Sequence, residues 1–143
     1  MTRERLRRAG PHYSRIGATT VEMALVLPIL LTLVFGIMQV GYAFMVQHAL
    51  QDAARKGCRT GTLPNRSNAT VTATVNNTLA TAGLTNTTIT IQVNNVASNV
   101  AAAVNGDYVS VQVSMPLSNA ILIPGFLSDT SKTLKGVVAL RCQ

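Results

Sequence analysis

The side chains that could perform acid–base or metal chemistry are few in this 143-residue chain, and they lie far apart in sequence. The two histidines, His12 and His48, belong to no HExxH pattern and to no Cys/His cluster with metal-ligand spacing. An acid–base pair made of two carboxyl groups needs them near each other, and no spacing here arranges that. A GxSxG elbow and a phosphate-cradling glycine loop are also missing. The sequence therefore predicts no catalytic residue, no metal and no cofactor. The acidic residues beyond position 17 are single ones: Glu22, Asp52, Asp107 and Asp129.

The composition indicates a membrane or exported setting. Hydrophobic residues make up 48% of the chain and charged residues only 12%, whereas soluble globular domains carry about 25% charged residues. The net charge of +7 is concentrated at the start, because five arginines against Glu4 give residues 1–17 a net charge of +4. A basic arm directly before an apolar run is typical of a topology signal, and no basic patch interleaved with aromatic residues follows it. We expect no nucleic-acid partner.

The longest apolar run extends over 24 uncharged residues, from Met23 to Val46. As a helix rising ~1.5 Å per residue it would span ~36 Å, enough to cross a hydrocarbon core of ~30 Å. A cleavable secretory signal has a shorter apolar region and a small-residue cleavage site, which this run lacks. The run is best interpreted as a retained membrane helix, with a removed signal and a buried core helix as the alternatives.

The junction before this helix reads Arg15-Ile-Gly17-Ala18-Thr-Thr-Val-Glu22. Taken by themselves, Gly17 is a flexible joint and Glu22 is a favourable negative charge near a helix N-terminus. The spacing also resembles the processing site of type IV pilins and pseudopilins, in which a prepilin peptidase cuts after the glycine. That resemblance implies a leader of residues 1–17 that is removed, Ala18 as the mature N-terminus, and Glu22 as the fifth mature residue.

The residues that follow sharpen this resemblance. The chain from about residue 15 to 59 is similar to the N-terminal region of the TadE-like family, with Met23 as a departure because an aromatic residue often follows the glutamate there. The resemblance implies a pseudopilin or minor pilin of a Tad (tight adherence, Flp-type, type IVc) pilus system. The matching segments are residues 22–31, Phe35-Gly36, Gly41-Tyr42 and residues 47–57.

The family resemblance also implies partners and a location. The partners would be the membrane, the prepilin peptidase, and other pilins or pseudopilins. The chain would cross the inner (cytoplasmic) membrane once, with its N-terminus inside and its C-terminal part on the exported side. Charge alone supports this orientation weakly, because Arg55, Lys56 and Arg59 follow the apolar run closely. Incorporation into the pilus, priming of its assembly, and a role as a membrane accessory all remain open.

Beyond the membrane the helix is predicted to continue to about Cys58, so that residues 18–60 form the membrane helix and its extension. Apolar or small residues recur on one helical face, with polar residues on the other. We call this face the core stripe. It consists of Val46, Ala49, Leu50, Ala53, Ala54, Gly57 and Cys58.

Residues 61–143 are predicted to form an exported α+β head. Val71, Val75 and Leu79 share one helical face, after a cap at Ser67 or Asn68 and before an end near Gly83. Three half-buried strands with alternating apolar residues are predicted at 87–93, 109–113 and 134–141, with a turn at 105–107 before the second. The apolar connector 121–126 is interpreted as core filling or, alternatively, as a contact patch.

Cys58 and Cys142 are the only cysteines, and the predicted topology places both on the exported side. Cys58 lies on the core stripe, and Cys142 continues the inward parity of the last strand, so a disulfide is plausible in an oxidising compartment. The alternative is two buried free thiols that act as small apolar side chains.

The sequence thus predicts a pilin-like α+β protein in which a long membrane-spanning helix extends into a head with one helix and about three antiparallel strands. The leading interpretation is a structural pseudopilin of a Tad-type pilus system, cleaved by a prepilin peptidase. The alternative is an uncleaved single-pass protein whose head binds a partner in the cell envelope. An anchored enzyme is a third, minor interpretation.

Overall fold

The computed structural model describes residues 13–63, 66–120 and 132–142. The chain divides into two compact units, Met1–Ile37 and Met38–Gln143. Three predicted features lie outside the described residues: the leader up to His12, the stop signals Pro64 and Asn65, and the connector 121–126.

The first unit contains the start of helix α1, which runs from Tyr13 to Gly61 and is longer at both ends than predicted. Pro28 lies inside the helix and supplies no backbone donor. One turn further on, the Thr32 hydroxyl donates a hydrogen bond to the Ile29 carbonyl at 2.8 Å. Every described side chain from Thr19 to Phe35 is exposed. This part of α1 therefore buries nothing within its own unit.

The second unit contains the rest of α1, where the core stripe is confirmed. Val46, Leu50, Ala53, Ala54, Gly57 and Cys58 are buried, and Ala49 is half-buried. The residues between them are exposed, Gln51 and Arg55 among them, except for the half-buried Gln47. The pattern of small and branched apolar residues at helical spacing thus determines which face of the helix meets the core.

Helix α2, Asn68–Thr81, confirms the second predicted helix. The Ser67 hydroxyl caps it by accepting a hydrogen bond from the Thr70 amide at 3.2 Å. Gly83, with φ of 69°, ends it in the left-handed conformation, and the Leu84 amide donates to the Leu79 carbonyl at 2.9 Å. The face predicted to be apolar is buried, with Val71 and Val75 fully enclosed.

The described residues contain one antiparallel sheet of four strands. The three predicted strands are β1 (Thr88–Val93), β3 (Tyr108–Pro116) and β4 (Thr133–Arg141). The fourth, β2 (Val96–Ala97), was not predicted, and it joins β1 through Asn94 and Asn95, which both have positive φ. The strands lie side by side in the order β2-β1-β3-β4.

Both helices cover one face of this sheet, and the core lies between the two layers. Val109, Val111, Val113 and Met115 of β3 are fully buried and alternate with Ser110, Gln112 and Ser114 on the other face. Apart from Met115, the core consists of small and branched side chains, as expected from a chain without tryptophan.

Candidate functional site

Gly17 and Glu22, the residues predicted to direct processing, lie near the start of α1. Gly17 is the fifth residue of the helix and is exposed, and a Cβ atom there would meet nothing within 4 Å. Helix ends open more easily than helix interiors, so the predicted cut after Gly17 falls in a part of the helix suited to local unwinding. Glu22 follows Ala18 by four positions, which is about one helical turn.

Glu22 is exposed and begins the apolar surface of the helix. It forms no ion pair within the described ranges, where the ion pair present joins Asp52 to Lys56 at 3.3 Å. A carboxylate at the edge of an apolar segment is costly to bury unless it is paired. Within the described ranges, the Glu22 carboxylate therefore stays exposed and without an ion-pair partner.

The apolar segment of α1 is long and apolar enough to cross a membrane. Its most apolar part is not buried by the rest of the chain. This finding argues against the alternative of a buried core helix. A single-pass membrane anchor is the function that this length and exposure suggest.

At three glycines of the second unit, a neighbouring element lies so close to the glycine backbone that an added Cβ atom would crowd it. A Cβ atom on Gly57 would overlap the Val75 side chain, so α2 packs directly against α1 there. A Cβ atom on Gly61 would lie 3.1 Å from Val109 Cγ1. At Gly136 the neighbouring atoms are the backbone of Leu50, which brings β4 against α1 itself. The sequence pattern predicts that Gly57 lies on the core stripe, but it does not predict the contact between Gly136 and α1.

Cys58 and Cys142 are both free thiols buried in the same core. The Cys58 thiol donates to the Val109 carbonyl at 2.9 Å, and Val109 pairs with Leu140 across β3 and β4. Cys142 follows Leu140 by two residues, and its amide donates to the Asp107 carbonyl at 2.8 Å. Both cysteines therefore belong to the core between α1 and the sheet, while their pairing stays a prediction.

Asp107 organises the loops at this end of the sheet, a role that its isolation in sequence did not reveal. Its carboxylate accepts hydrogen bonds from the Val104 amide at 2.9 Å and from the Asn94 side chain at 2.8 Å. These two donors, the Val104 amide first, lower the pKa of the Asp107 carboxyl below its usual value. Nearby, the Arg66 guanidinium donates to the carbonyls of Val100 and Ala103. Both charged residues are used to fix loops.

Nothing in the described ranges assembles a catalytic or metal centre. These ranges contain no group of three or more His, Cys, Asp or Glu side chains that could hold a metal ion. His48 lies exposed on α1, and His12 lies outside the described residues. An open cleft between α1 and α2 is lined by hydroxyl and amide side chains and by the Asp52–Lys56 pair. The Thr74, Thr78 and Thr81 hydroxyls at this cleft donate to carbonyls of their own helix.

The fold and the exposed helix define an α+β protein with a long apolar N-terminal helix and a pilin-like head. Residues 17–59 match the family model described as TadE-like protein, which confirms the predicted resemblance over that segment. No curated protein and no solved structure matches the chain. The match begins at Gly17 and ends one residue after Cys58, so it covers the apolar helix and the core stripe.

Proposed function

We propose that this chain is a structural subunit of a Tad-type pilus system, a pseudopilin or minor pilin that a prepilin peptidase cleaves after Gly17. The observation that carries the proposal is the TadE-like match over residues 17–59, which starts at the glycine before the proposed cut. The exposed apolar helix and the pilin-like head support the same function. Residues 1–17 are the leader, 18–60 the membrane helix with its extension, and 61–143 the exported head.

In this proposal the chain spans the inner membrane once through the apolar part of α1. The arginine-rich leader stays inside, and the head lies on the exported side. Cleavage leaves a new amine on Ala18. The partners are the membrane, the peptidase, and other pilins or pseudopilins of the system.

Glu22 provides the assembly contact. Its carboxylate lies at the start of a surface that is otherwise apolar and exposed. If this surface were buried between subunits, the Glu22 carboxylate would be buried without a partner unless an amine paired with it. The Ala18 amine of a neighbouring subunit has the opposite charge and becomes available after cleavage. A helix-dipole role for Glu22 alone would need no neighbour.

Co-purification with pilus components tests this role. We expect Glu22→Ala to be cleaved normally yet to be lost from the sheared pilus and pseudopilin fraction. Asp52→Ala, which removes another exposed acid of the same helix, serves as the matched control and should co-purify like the parent chain. Unchanged co-purification and piliation with Glu22→Ala would favour a helix-dipole role for Glu22 and would contradict the proposed assembly contact.

A further inference from the structure

The last residues of the apolar run of α1 belong to the second unit, and the rest of that unit covers one side of them. Coverage begins at Gln39, which is 3% exposed, and continues through Val46. Tyr42 and Leu84 both pack against the core from this end of the unit. A small cleft between them is lined by Tyr42, Met45, Val46, Ala49, Ala82 and Leu84.

One flank of the helix stays uncovered alongside this contact. We call Val40, Gly41, Phe44 and Met45 the open flank. Val40 is 51% exposed, and Phe44 and Met45 are each 62% exposed. The flank turns polar at once beyond Met45, because His48, Gln51 and Arg55 follow Phe44 by 4, 7 and 11 residues on the same side.

The position of the hydrocarbon layer along α1 follows from its charges. Glu22 is the last charged residue before the apolar run, and an unpaired carboxylate avoids the hydrocarbon core. A layer ~30 Å thick that starts at Met23 takes up about 20 residues and ends near Tyr42. Phe44 and Met45 then lie about 3–5 Å beyond its edge, within the headgroup layer.

We propose that the open flank, together with Leu84, rests in the interfacial layer of a phospholipid bilayer, so that the head meets the membrane surface without a spacer. The occupant of the flank is lipid, because its apolar side chains continue the surface of the proposed membrane span and give way to polar ones within one turn. Tyr42, which lies next to the open flank, is of the amphipathic aromatic type that is enriched in this layer. This inference rests on the membrane anchoring in the proposed function.

The chain contains no tryptophan, so a single introduced one reports its own depth. The full chain is reconstituted into phosphatidylcholine–phosphatidylglycerol vesicles that carry bromine near the carbonyl end or near the methyl end of the acyl chains. The reporters are Phe44→Trp and Leu84→Trp. Leu33→Trp is the deep control, and Arg59→Trp is the water-exposed control.

We expect the two reporters to be quenched more by shallow than by deep bromine and to emit at shorter wavelength than the Arg59→Trp control. The Leu33→Trp control should be quenched more by deep bromine. Failure of that control alone would refute the membrane anchor.

If the deep control behaves as expected, three results overturn the interfacial flank. The first is no quenching of the two reporters by either lipid. The second is stronger quenching of Phe44→Trp by deep bromine. The third is Phe44→Trp emission that depends on the protein-to-lipid ratio without quenching, which would assign the flank to a second copy of the chain.

Discussion

A Cβ atom on Gly136 would lie 2.6 Å from the carbonyl carbon of Leu50, so strand β4 meets helix α1 at backbone contact. The neighbouring Lys135 carbonyl accepts a hydrogen bond from the Gln47 side chain at 2.7 Å. These two contacts attach the last strand to the helix that carries the TadE-like segment. From Met38 onward, the TadE-like segment of α1 and the head therefore belong to one packing unit.

Gly136→Ala should destabilise the head by about 2 kcal/mol or more, because backbone atoms cannot rotate away from the added methyl group. Gly41→Ala is the matched control, since a Cβ atom there meets nothing within 4 Å. Alanine in place of an exposed helical glycine should cause no loss of stability. Thermal unfolding of the detergent-solubilised chain measures both, and equal melting temperatures for the two variants would refute the backbone contact.

Gly57 and Val75 should be energetically coupled, since a Cβ atom on Gly57 would overlap the Val75 side chain. Gly57→Ala and Val75→Ala should each destabilise the unit, the first by overpacking and the second by loss of a fully buried side chain. The double variant should lose less stability than the sum of the two, by about 0.5–3 kcal/mol. Strict additivity in a double-mutant cycle would show that α2 does not pack on Gly57.

Asp107 should make stability depend on pH. Because its folded-state pKa is lowered, its stabilisation is complete above the usual aspartate pKa of about 3.9 and is lost as pH falls through the lowered value. Asp107→Asn should therefore lower the melting temperature at neutral pH, and the difference from the parent chain should shrink at acid pH.

The control for this effect is Asp52→Asn, which breaks the exposed Asp52–Lys56 pair. Exposed pairs contribute about 0–1 kcal/mol and are screened by salt, so this variant should change stability little. If the difference in melting temperature between Asp107→Asn and the parent chain did not change with pH, the effect would come from altered packing or hydrogen bonding and not from the lost charge.

A disulfide between Cys58 and Cys142 remains our prediction for the exported chain. It would close a loop of about 85 residues, with a model stabilisation of about 4–5 kcal/mol less any strain. The unreduced, denatured protein is alkylated and weighed with and without prior reduction. Labelling only after reduction supports the bond, whereas label on both cysteines of protein kept from reductants rules it out.

The core could be predicted from the sequence because its residues repeat with the period of the element that carries them. The residues that the patterns assign to the core are buried on the core stripe of α1, where Ala49 is half-buried, and on the Val71–Val75–Leu79 face of α2. The alternating residues of β3 are buried as well. Strand β2 was not predicted from the sequence, because a strand of two residues is too short to show an alternating pattern. Its turn is formed by two asparagines in the left-handed conformation, which the sequence does not distinguish from ordinary loop residues.

The contacts that depend on tertiary position could not be predicted. Gly136 has no side chain to contribute to a pattern, and only the crossing of β4 over α1 gives it a role. Asp107 is isolated in sequence, and its partners Asn94 and Val104 become its donors only when two loops meet. The processing residues Gly17, Ala18 and Glu22 stay a prediction from the pilin resemblance, which rests on one continuous segment and needs no tertiary contact.

The mass of the chain extracted from membranes of cells that carry its cognate peptidase shows whether the leader is removed. We expect a protein that lacks residues 1–17 and begins at Ala18. Gly17→Val should leave the longer, membrane-bound precursor because its side chain obstructs the peptidase cleft, whereas Gly17→Ala should be cut partially. Gly10→Val, a matched change within the leader, should mature normally. A parent chain that retains residues 1–17, or a Gly17→Val chain that matures normally, would refute prepilin-type processing of this protein.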